Sequence, residues 1–237
     1  MKLNADFTQR ASCNINSIQW ESSPSAGVDR KRIECDDNTP PVERVTTIVR
    51  FAPGSSFSGH VHGGGEEFLV LEGTFSDQHA DYPAGYYVRN PKGTGHAPHS
   101  HDGCTILVKL WQMHPQDKQQ FSVNTRDESL WIQQADNSEM LPLFNNDYET
   151  VCMLKWSAGL QLNNLHFASG VEYFLIEGTF SDQQGIYTAG SWLRLPAGAA
   201  QNITVKENCL LFRKSNHLLN PVDYLLLEGS PKLAHKS

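Results

Sequence analysis

The sequence has no apolar run long enough for a membrane-spanning helix, and its first residues, MKLNADFTQRASC, lack the hydrophobic segment of a signal peptide. It also lacks a basic surplus, because 19 Lys and Arg stand against 26 Asp and Glu, for a formal net charge of −7. A surface without basic excess argues against a nucleic acid or an anionic membrane as a partner. We therefore expect a cytoplasmic protein.

Paired cysteine motifs are missing as well. The five cysteines form no CxxC pair, and an odd number in a cytoplasmic chain argues against a disulfide framework. Cys104 and Cys209 lie in apolar runs, where we expect small buried side chains. Cys13 and Cys35 lie in polar surroundings that allow exposed thiols, although nothing near them indicates an activated nucleophile.

No stretch shows an apolar period of 3.6 residues over a helical length. Short segments rich in β-branched and aromatic residues recur instead, between Gly, Pro, Asn and Asp. We predict strands at VERVTTIVRF, EFLVLEGTF, YYVRNP, CTILVKLW, ETVCMLKW, EYFLIEGTF, SWLRLP and CLLFRK. Short strands at short intervals are typical of a sandwich or a jelly roll, so the predicted fold class is all-β.

An internal repeat predicts two barrels in tandem. EGTFSDQ occurs at residues 72–78 and again at 177–183, an offset of 105. The same offset, without a gap, pairs Gly54 with Gly159, Gly85 with Gly190, Pro91 with Pro196, Gly93 with Gly198 and Cys104 with Cys209. Two copies of one supersecondary unit therefore follow each other.

The division between the copies is expected in the polar segment 114–128, which shows no periodicity. We place the two domains at residues 1–122 and 123–237. The first 20 residues are weakly patterned, and the sequence leaves open whether they form an arm or an added strand.

The first copy contains a candidate metal site. His60 and His62 are two residues apart, so on a strand both imidazoles leave the same face. A glycine turn and Glu66 follow, and His96 comes later, after a turn-rich approach. Three imidazoles and one carboxylate are a suitable set of ligands for Zn²⁺ or for a first-row redox metal.

The spacing of these residues follows two longer patterns, G-x5-H-x-H-x3-E-x6-G from Gly54 to Gly73 and G-x5-P-x-G-x2-H from Gly85 to His96. These patterns resemble the two cupin motifs. The surrounding segments FAPG, GGEEF, DYPAG and GCT resemble the cupin domain of ChrR-type anti-sigma factors. The resemblance implies two jelly-roll cupin barrels and one divalent metal ion bound by His60, His62, Glu66 and His96. Zinc is the first choice of metal, with iron, manganese and nickel left open.

The second copy lacks this ligand set. The offset of 105 places Leu165, Phe167, Val171 and Gln201 at the four positions, and none of them is an ordinary metal ligand. We therefore expect a degenerate barrel without metal. Glu67 keeps its counterpart Glu172 in this copy, whereas Glu66 does not, so Glu67 is expected to be structural and Glu66 to be the ligand.

Several polar residues near the motifs have simpler interpretations. We expect His79, His99 and His101 to be solvated loop residues. Asp77 and Asp182 recur after Phe-Ser in both copies, which indicates a side chain that stabilises a turn. The basic run at residues 30–32 is expected to form a solvated face.

Two classes of function remain open. The resemblance implies a regulatory or small-molecule-sensing protein. ChrR-type proteins hold their sigma factor with a separate N-terminal helical zinc domain, and only 19 residues precede the cupin-like pattern at Trp20. We therefore expect no sigma factor as partner. The alternative is a metal-dependent, dioxygenase-like enzyme that uses iron and acts on a small diketone or aromatic substrate. A small-molecule ligand and a homodimer are left open in either class.

Overall fold

The computed structural model describes residues 2–39 and 42–218, which are built almost entirely from β-strands. The first half contains β1 (Lys2–Leu3), β2 (Ala11–Asn14), β3 (Glu21–Ser22), β4 (Val28–Thr39), β5 (Val42–Phe51), β6 (Ser55–Ser56), β7 (His60–Val61), β8 (Glu66–Ser76), β9 (Asp81–Pro83), β10 (Tyr86–Asn90), β11 (Gly95–His96), β12 (His99–Ser100), β13 (Cys104–Leu110) and β14 (Phe121–Asn124). The second contains β15 (Ile132–Gln133), β16 (Glu139–Asn145), β17 (Thr150–Trp156), β18 (Gln161–Phe167), β19 (Val171–Ser181), β20 (Ile186–Thr188), β21 (Ser191–Leu195) and β22 (Ala199–Ser215). The predicted all-β class is confirmed.

Helical structure is confined to two 3₁₀ helices, Ile15–Ser17 and Glu128–Leu130, in the part of the chain that the structure describes. None of these described residues forms a helix with the length and hydrophobicity that crossing a membrane requires. Seven of the segments predicted as strands coincide, to within one residue at their ends, with β5, β8, β10, β13, β17, β19 and β21. The eighth, CLLFRK, lies within β22, which begins ten residues earlier, at Ala199. The sequence does not predict β4, VDRKRIECDDNT, because charged residues dominate it.

The long strands of each half form one antiparallel sheet, and the two sheets have equivalent strand orders. The order is β1-β4-β5-β13-β8-β10-β14 in the first half and β15-β16-β17-β22-β19-β21-β2 in the second. Short strands pair beside these paths, and β7 and β11 form a separate two-stranded ribbon. We call residues 28–110 the first barrel and residues 139–215 the second barrel.

The strands β2 and β14 precede the first and the second barrel, respectively, and each pairs with the other barrel. β2 pairs with β21 of the second barrel, from Ala11 opposite Arg194 to Asn14 opposite Ser191. In the same way β14, which precedes the second 3₁₀ helix, pairs with β10 of the first barrel. The early residues therefore supply an added strand to the distant barrel. The expected division at residues 122 and 123 falls inside β14, and it stays a prediction.

Three apolar cores hold the molecule together. One fills the first barrel around Phe68 and Phe75, and another fills the second barrel around Tyr173 and Phe180. The third lies between the two sheets and combines residues of both halves: Ile33, Ile48, Leu69, Tyr87 and Leu107 with Leu141, Leu143, Phe144, Val151, Met153, Phe174, Trp192 and Phe212. Each long strand thus has one face in its own barrel and the other against the partner barrel, as the two-residue period of a strand requires.

A buried ionic cluster crosses between the barrels beside the third core. Lys214 of the second barrel contacts Glu67 of the first and lies 2.5 Å from Glu149. Arg89 also contacts Glu149 and lies 3.2 Å from Glu67 and 2.7 Å from Asp117. Burial alone would raise the pKa of Glu67, but Lys214 and Arg89 outweigh it and bring the pKa down to about 2.

A second buried cluster repeats the arrangement with the halves reversed. Lys109 of the first barrel lies 2.5 Å from Glu172 of the second, and His217 lies 3.5 Å from the same carboxylate. Arg194 of the second barrel reaches Glu34 of the first at 3.3 Å. The expected structural role of the repeated glutamate, at Glu67 and again at Glu172, is therefore confirmed.

The cysteines are all free thiols, and four of the five are buried. Cys104 and Cys209 lie in strand interiors, as expected. The interpretation of Cys13 and Cys35 as exposed thiols is wrong, because Cys35 is fully buried against β5 and Cys13 is half-buried. Burial raises the pKa of Cys13 to about 11, so this thiol is unreactive near neutral pH.

We predict that Glu67→Gln lowers the free energy of unfolding by about 3–5 kcal/mol at pH 7, because it leaves buried cations without their partner. The folded-state pKa of Glu67 is depressed to about 2 from the usual 4.5, so its contribution is present above pH 4.5 and lost as the pH falls towards 2. Urea unfolding of variant and wild type should therefore converge in acid. The control Glu128→Gln removes an exposed partner of Lys155 and should cost less than about 1 kcal/mol. Equal losses in both variants would contradict the prediction.

Candidate metal centre

The ribbon of β7 and β11 brings the first two candidate ligands together. His60 on β7 lies directly opposite His96 on β11 in the antiparallel register. His62 follows β7, and its backbone N–H donates to the Thr94 carbonyl oxygen at 2.8 Å, which continues the ribbon. Glu66 is the first residue of β8 and faces the same space. The four predicted residues therefore converge at one end of the first barrel.

Tight glycine packing shapes the turn between His62 and Glu66. The ring of Trp111 covers Gly64 so closely that a Cβ there would lie 2.3 Å from a ring carbon. Gly65 adopts φ +78°, a conformation that other residues rarely take. Any side chain at Gly64 would displace Trp111, so the glycines set the path that turns Glu66 towards the histidines.

The candidate ligand atoms of His60, His62, Glu66 and His96 all lie within 4.8 Å of one another. Oε1 of Glu66 is 3.6 Å from Nε2 of His62 and 3.4 Å from Nε2 of His96. His60 is the most exposed of the four, and the other three are buried. Nε2 of His62 is buried without a hydrogen-bond partner, which is the state expected of a nitrogen whose partner is a metal ion.

Each imidazole directs its other nitrogen, Nδ1, to a neighbouring oxygen. Nδ1 of His60 lies 2.9 Å from the carbonyl oxygen of Ser58, and Nδ1 of His62 lies 3.0 Å from Oγ1 of Thr94. The Thr94 hydroxyl donates to the Pro91 carbonyl, so it accepts from His62. With Nδ1–H as donor, Nε2 keeps its lone pair for a metal.

Burial sets the charge state of the cluster. Burial, together with the neighbouring His96 and His60, lowers the pKa of His62 to about 3, so its imidazole is neutral near pH 7. Burial raises the pKa of Glu66 to about 7. Neutral imidazoles are the form that coordinates a metal, and a cation in the site would offset the desolvation of the carboxylate.

Asp77 has two roles, of which the sequence predicted one. Its Oδ1 accepts the backbone N–H groups of His79 at 2.8 Å and Ala80 at 3.1 Å, so the predicted turn is confirmed. Its Oδ2 lies 3.2 Å from Nδ1 of His96. A carboxylate behind a ligand histidine fixes the ring and raises its basicity. The sequence did not reveal this contact, because a turn-stabilising role already explained why aspartate recurs at Asp77 and Asp182.

The second barrel retains the geometry of the site without its ligands. Gln201 occupies the position of His96, and its Nε2 donates to Asp182 at 2.8 Å, so the amide replaces the imidazole against the same carboxylate. Leu165 and Phe167 line a cavity of about 200 Å³, and Leu165 pairs with Gln201 as His60 pairs with His96. His166 is exposed, on the other face of the strand, as expected from its alignment with Val61.

A cavity of about 270 Å³ adjoins the candidate metal centre in the first barrel. His60, Glu66 and His96 form part of its wall, and the remainder is mostly apolar, with the largest contribution from side chains of β5 and β13. Arg30 and Arg32 also line it, whereas Lys31 is buried on the other face of β4 and donates to the Ile15 carbonyl at 2.8 Å. The interpretation of this basic run as a solvated face is therefore wrong, because β4 alternates its side chains between the cavity and the opposite face.

The remaining histidines of the first barrel lie outside the cluster. His79, His99 and His101 are exposed, as the sequence predicts. His101 is 92% exposed and lies 2.6 Å from its neighbour Asp102. These residues lie outside the four converging side chains. The candidate site therefore consists of those four side chains and the groups that accept hydrogen bonds from their imidazoles.

A family model covers most of the chain. The model of the ChrR cupin-like domain matches it twice, at residues 8–114 and 118–219. The chain belongs to this family and carries two copies of its domain, which confirms the resemblance and the pair of cupin barrels. A search of curated proteins returns no match.

Solved cupin structures share the fold at low sequence identity. A candidate dioxygenase from Nostoc punctiforme is 12% identical, with a TM-score of 0.73, over 91% of this chain and 85% of that one. A bacterial pirin from Escherichia coli in complex with nickel(II) is 13% identical, with a TM-score of 0.65, over 87% and 98%. The formate complex of oxalate decarboxylase from Lactobacillus farciminis is 11% identical, with a TM-score of 0.62, over 89% and 86%. At these identities the likeness shows the fold alone.

We predict that the protein, purified without chelators, binds one divalent metal ion per chain and that His62→Ala loses it. The expectation rests on the convergence of the four candidate ligands and on the orphaned Nε2 of His62. Elemental analysis after gel filtration measures the stoichiometry. His166→Ala, on the exposed face of the second barrel, is the control and should keep the metal. Two ions per chain, or a full complement in His62→Ala, would count against this site.

We predict that Asp77→Asn weakens metal binding by about 10- to 100-fold, because the amide supports the His96 ring less well than the carboxylate. The amide oxygen can still accept the two backbone N–H groups, so the turn should persist. Competition with a chromophoric chelator gives the affinity. Asp182→Asn makes the same change in the second barrel and should leave the metal affinity unaltered. An equal effect in both variants would point to general destabilisation instead.

Proposed function

We propose that the first barrel holds one divalent metal ion through His60, His62, Glu66 and His96 and binds a small organic molecule in the adjoining cavity. The observation that carries the proposal is the shared wall, because His60, Glu66 and His96 belong both to the ligand cluster and to the lining of the cavity. A molecule in the cavity would therefore lie beside the metal. The second barrel, with Leu165, Phe167, Val171 and Gln201 at the ligand positions, serves as a metal-free structural partner.

The donor set suits zinc first, with iron, manganese and nickel as alternatives, and among these the dioxygenase-like candidate requires iron because zinc has no redox chemistry. A metal bound here would supply Lewis-acid or redox chemistry to a molecule in the cavity. The protein's own residues orient the imidazoles through Ser58, Thr94 and Asp77, and the apolar walls exclude water from the reacting molecule. The proposal is supported by the unpartnered Nε2 of His62, which is a buried polar atom without another explanation.

The cavity favours an enzyme, and we place it among metal-dependent, dioxygenase-like cupins that act on a small diketone or aromatic compound. A structural zinc site is closed by its protein ligands, whereas this cluster opens onto about 270 Å³ of space. Solved structures support this proposal only through the shared fold, since proteins with this fold include a candidate dioxygenase and a decarboxylase. Fold alone does not assign chemistry, so the cavity carries the argument.

A regulatory protein that senses a small molecule is the second candidate. The specific observation in its favour is membership of the ChrR cupin-like domain family in both halves of the chain. In this class the cavity would bind its ligand without converting it. Five free cysteines agree with a reducing compartment, so a cytoplasmic location is part of either proposal. As partners we propose a small-molecule ligand and a second copy of the chain in a homodimer. We do not propose a nucleic acid, a membrane or a sigma factor.

We predict that the ferrous-loaded protein consumes oxygen with at least one compound from a panel of diketones and hydroxylated aromatics. An oxygen electrode measures the uptake, which should vanish in Glu66→Ala because a metal ligand is lost. Glu72→Ala, exposed on the same strand, is the matched control and should keep the activity. Binding of a panel compound without oxygen uptake would favour the sensing protein over the enzyme.

A further inference from the structure

Two arginines stand in the wall of the metal-site cavity. Arg30 and Arg32 are two residues apart on β4, so both side chains leave the strand on its cavity face. Each is half-buried. The remaining lining is mostly apolar and includes Val45, Val49, Phe51, Ile106, Val108 and Leu110. Two guanidinium groups in an apolar cavity are costly to desolvate unless an anion accompanies them.

The two arginines differ in their surroundings. Arg32 forms a salt bridge of 3.4 Å with Glu21, whose side chain is 53% exposed. Arg30 forms no salt bridge with any residue in the described ranges, and its buried Nε has no hydrogen-bond partner. Glu21 therefore balances one of the two positive charges. Of the two guanidinium groups, that of Arg30 is left without an acidic partner in the described ranges.

The second barrel provides an internal comparison. Arg30 lies opposite Val49 on β5, and Arg32 lies opposite Thr47. At the offset of 105 these partners become Leu154 and Cys152 on β17, and the residues paired with them are Met140 and Pro142. Both arginines are thus absent from the barrel that lacks the metal ligands.

A structural role would be needed in both barrels, since their sheets have equivalent orders. The first barrel combines a ligand cluster with these two cations. The cavity of the second barrel has Met140 in its lining, and its arginine, Arg213, lies on β22, at a position that Val108 occupies in the first barrel. The arginines therefore belong with the metal-site chemistry. They are not part of the common scaffold.

The sheet also separates the arginines from the metal. β4 is three strands from β8 in the order β4-β5-β13-β8, and β8 begins with Glu66. At about 4.8 Å per strand, the separation along the sheet is about 14 Å, which the curvature of the barrel shortens. Apolar side chains of β5 and β13 fill this interval. A ligand that reaches both ends has an apolar body between them.

We propose that the ligand of the first barrel is a small organic acid, whose carboxylate is held by Arg30 beside Arg32 and whose apolar body extends towards the metal. This inference rests on the proposed function and names its class of ligand. A guanidinium group matches a carboxylate with two parallel hydrogen bonds. The one guanidinium group without an acidic partner, that of Arg30, matches the single charge of a carboxylate better than it matches a phosphate, which carries about 1.5 to 2 negative charges at pH 7.

The test compares each acid with its own neutral amide. Calorimetry measures the binding of benzoate and benzamide, and of cyclohexanecarboxylate and its carboxamide, to the zinc-loaded protein. We expect each acid to bind at least about tenfold more tightly than its amide. The preference should disappear in Arg30→Gln and return in part in Arg30→Lys, which restores the charge but not the fork of donors. Thermal unfolding checks that both variants are folded.

A surface arginine and a metal-free sample serve as controls. Arg50→Gln removes a guanidinium group that pairs with Asp29 at 2.7 Å outside the cavity, and it should keep the preference. Because a metal ion also attracts carboxylates, the acid and amide pairs are measured again after the protein has been stripped with a chelator. A preference that depends on Arg30 in the stripped protein assigns the carboxylate to the arginine.

The outcomes separate this inference from the proposed function. Equal binding of acids and amides, binding of neither, or a preference that survives Arg30→Gln would overturn the inference. The metal stoichiometry and the oxygen uptake would stand untouched by those results. A chain that binds no metal but keeps an acid preference dependent on Arg30 would instead refute the metal proposal and support the acid.

Discussion

The alternation of side chains along β8 is the constraint on which the rest of the molecule depends. Glu66 faces the histidine cluster, and Glu67, one residue later, faces the second barrel and contacts Lys214. A slip of one residue would send both carboxylates to the wrong side of the sheet. The buried ion pairs between the barrels therefore hold the register that presents the candidate ligand. In this way the partner barrel supports the site without contributing a ligand to it.

The sequence predicts the features that depend on local pattern or on the repeat. Strand periodicity and turn glycines are local signals that can be recognised within a few residues of sequence. The all-β class and the main strands could therefore be predicted. The offset of 105 separated Glu66 from Glu67, because only the second of them has a carboxylate counterpart, Glu172. The convergence of His60 and His96 was predictable from the resemblance of the two motifs to the cupin motifs, because their separation along the chain alone does not bring the side chains together.

Two features escaped prediction: the second role of one residue, Asp77, and the side-chain alternation of a charged strand, β4. Asp77 completes a turn with one carboxylate oxygen and supports His96 with the other, and a local pattern reveals only the first. The strand β4 is rich in charge and has no apolar signature, so its alternation was not recognised. The sequence therefore predicts one solvated surface for Arg30 and Lys31, although the two side chains face opposite sides of the sheet.

The exchange of β2 and β14 has a consequence for the order in which the protein can be completed during synthesis. Within residues 2–39 and 42–218, β2 pairs with β21 alone, and the neighbouring salt bridge joins Arg10 to Asp182, which are 172 residues apart. At about 5–20 residues per second, the ribosome needs roughly 10–40 s to make the chain between them. Throughout that interval β2 of the nascent chain lacks its partner, and a second nascent chain could occupy its free edge. Synthesis of β21 then supplies the pairing within the same chain.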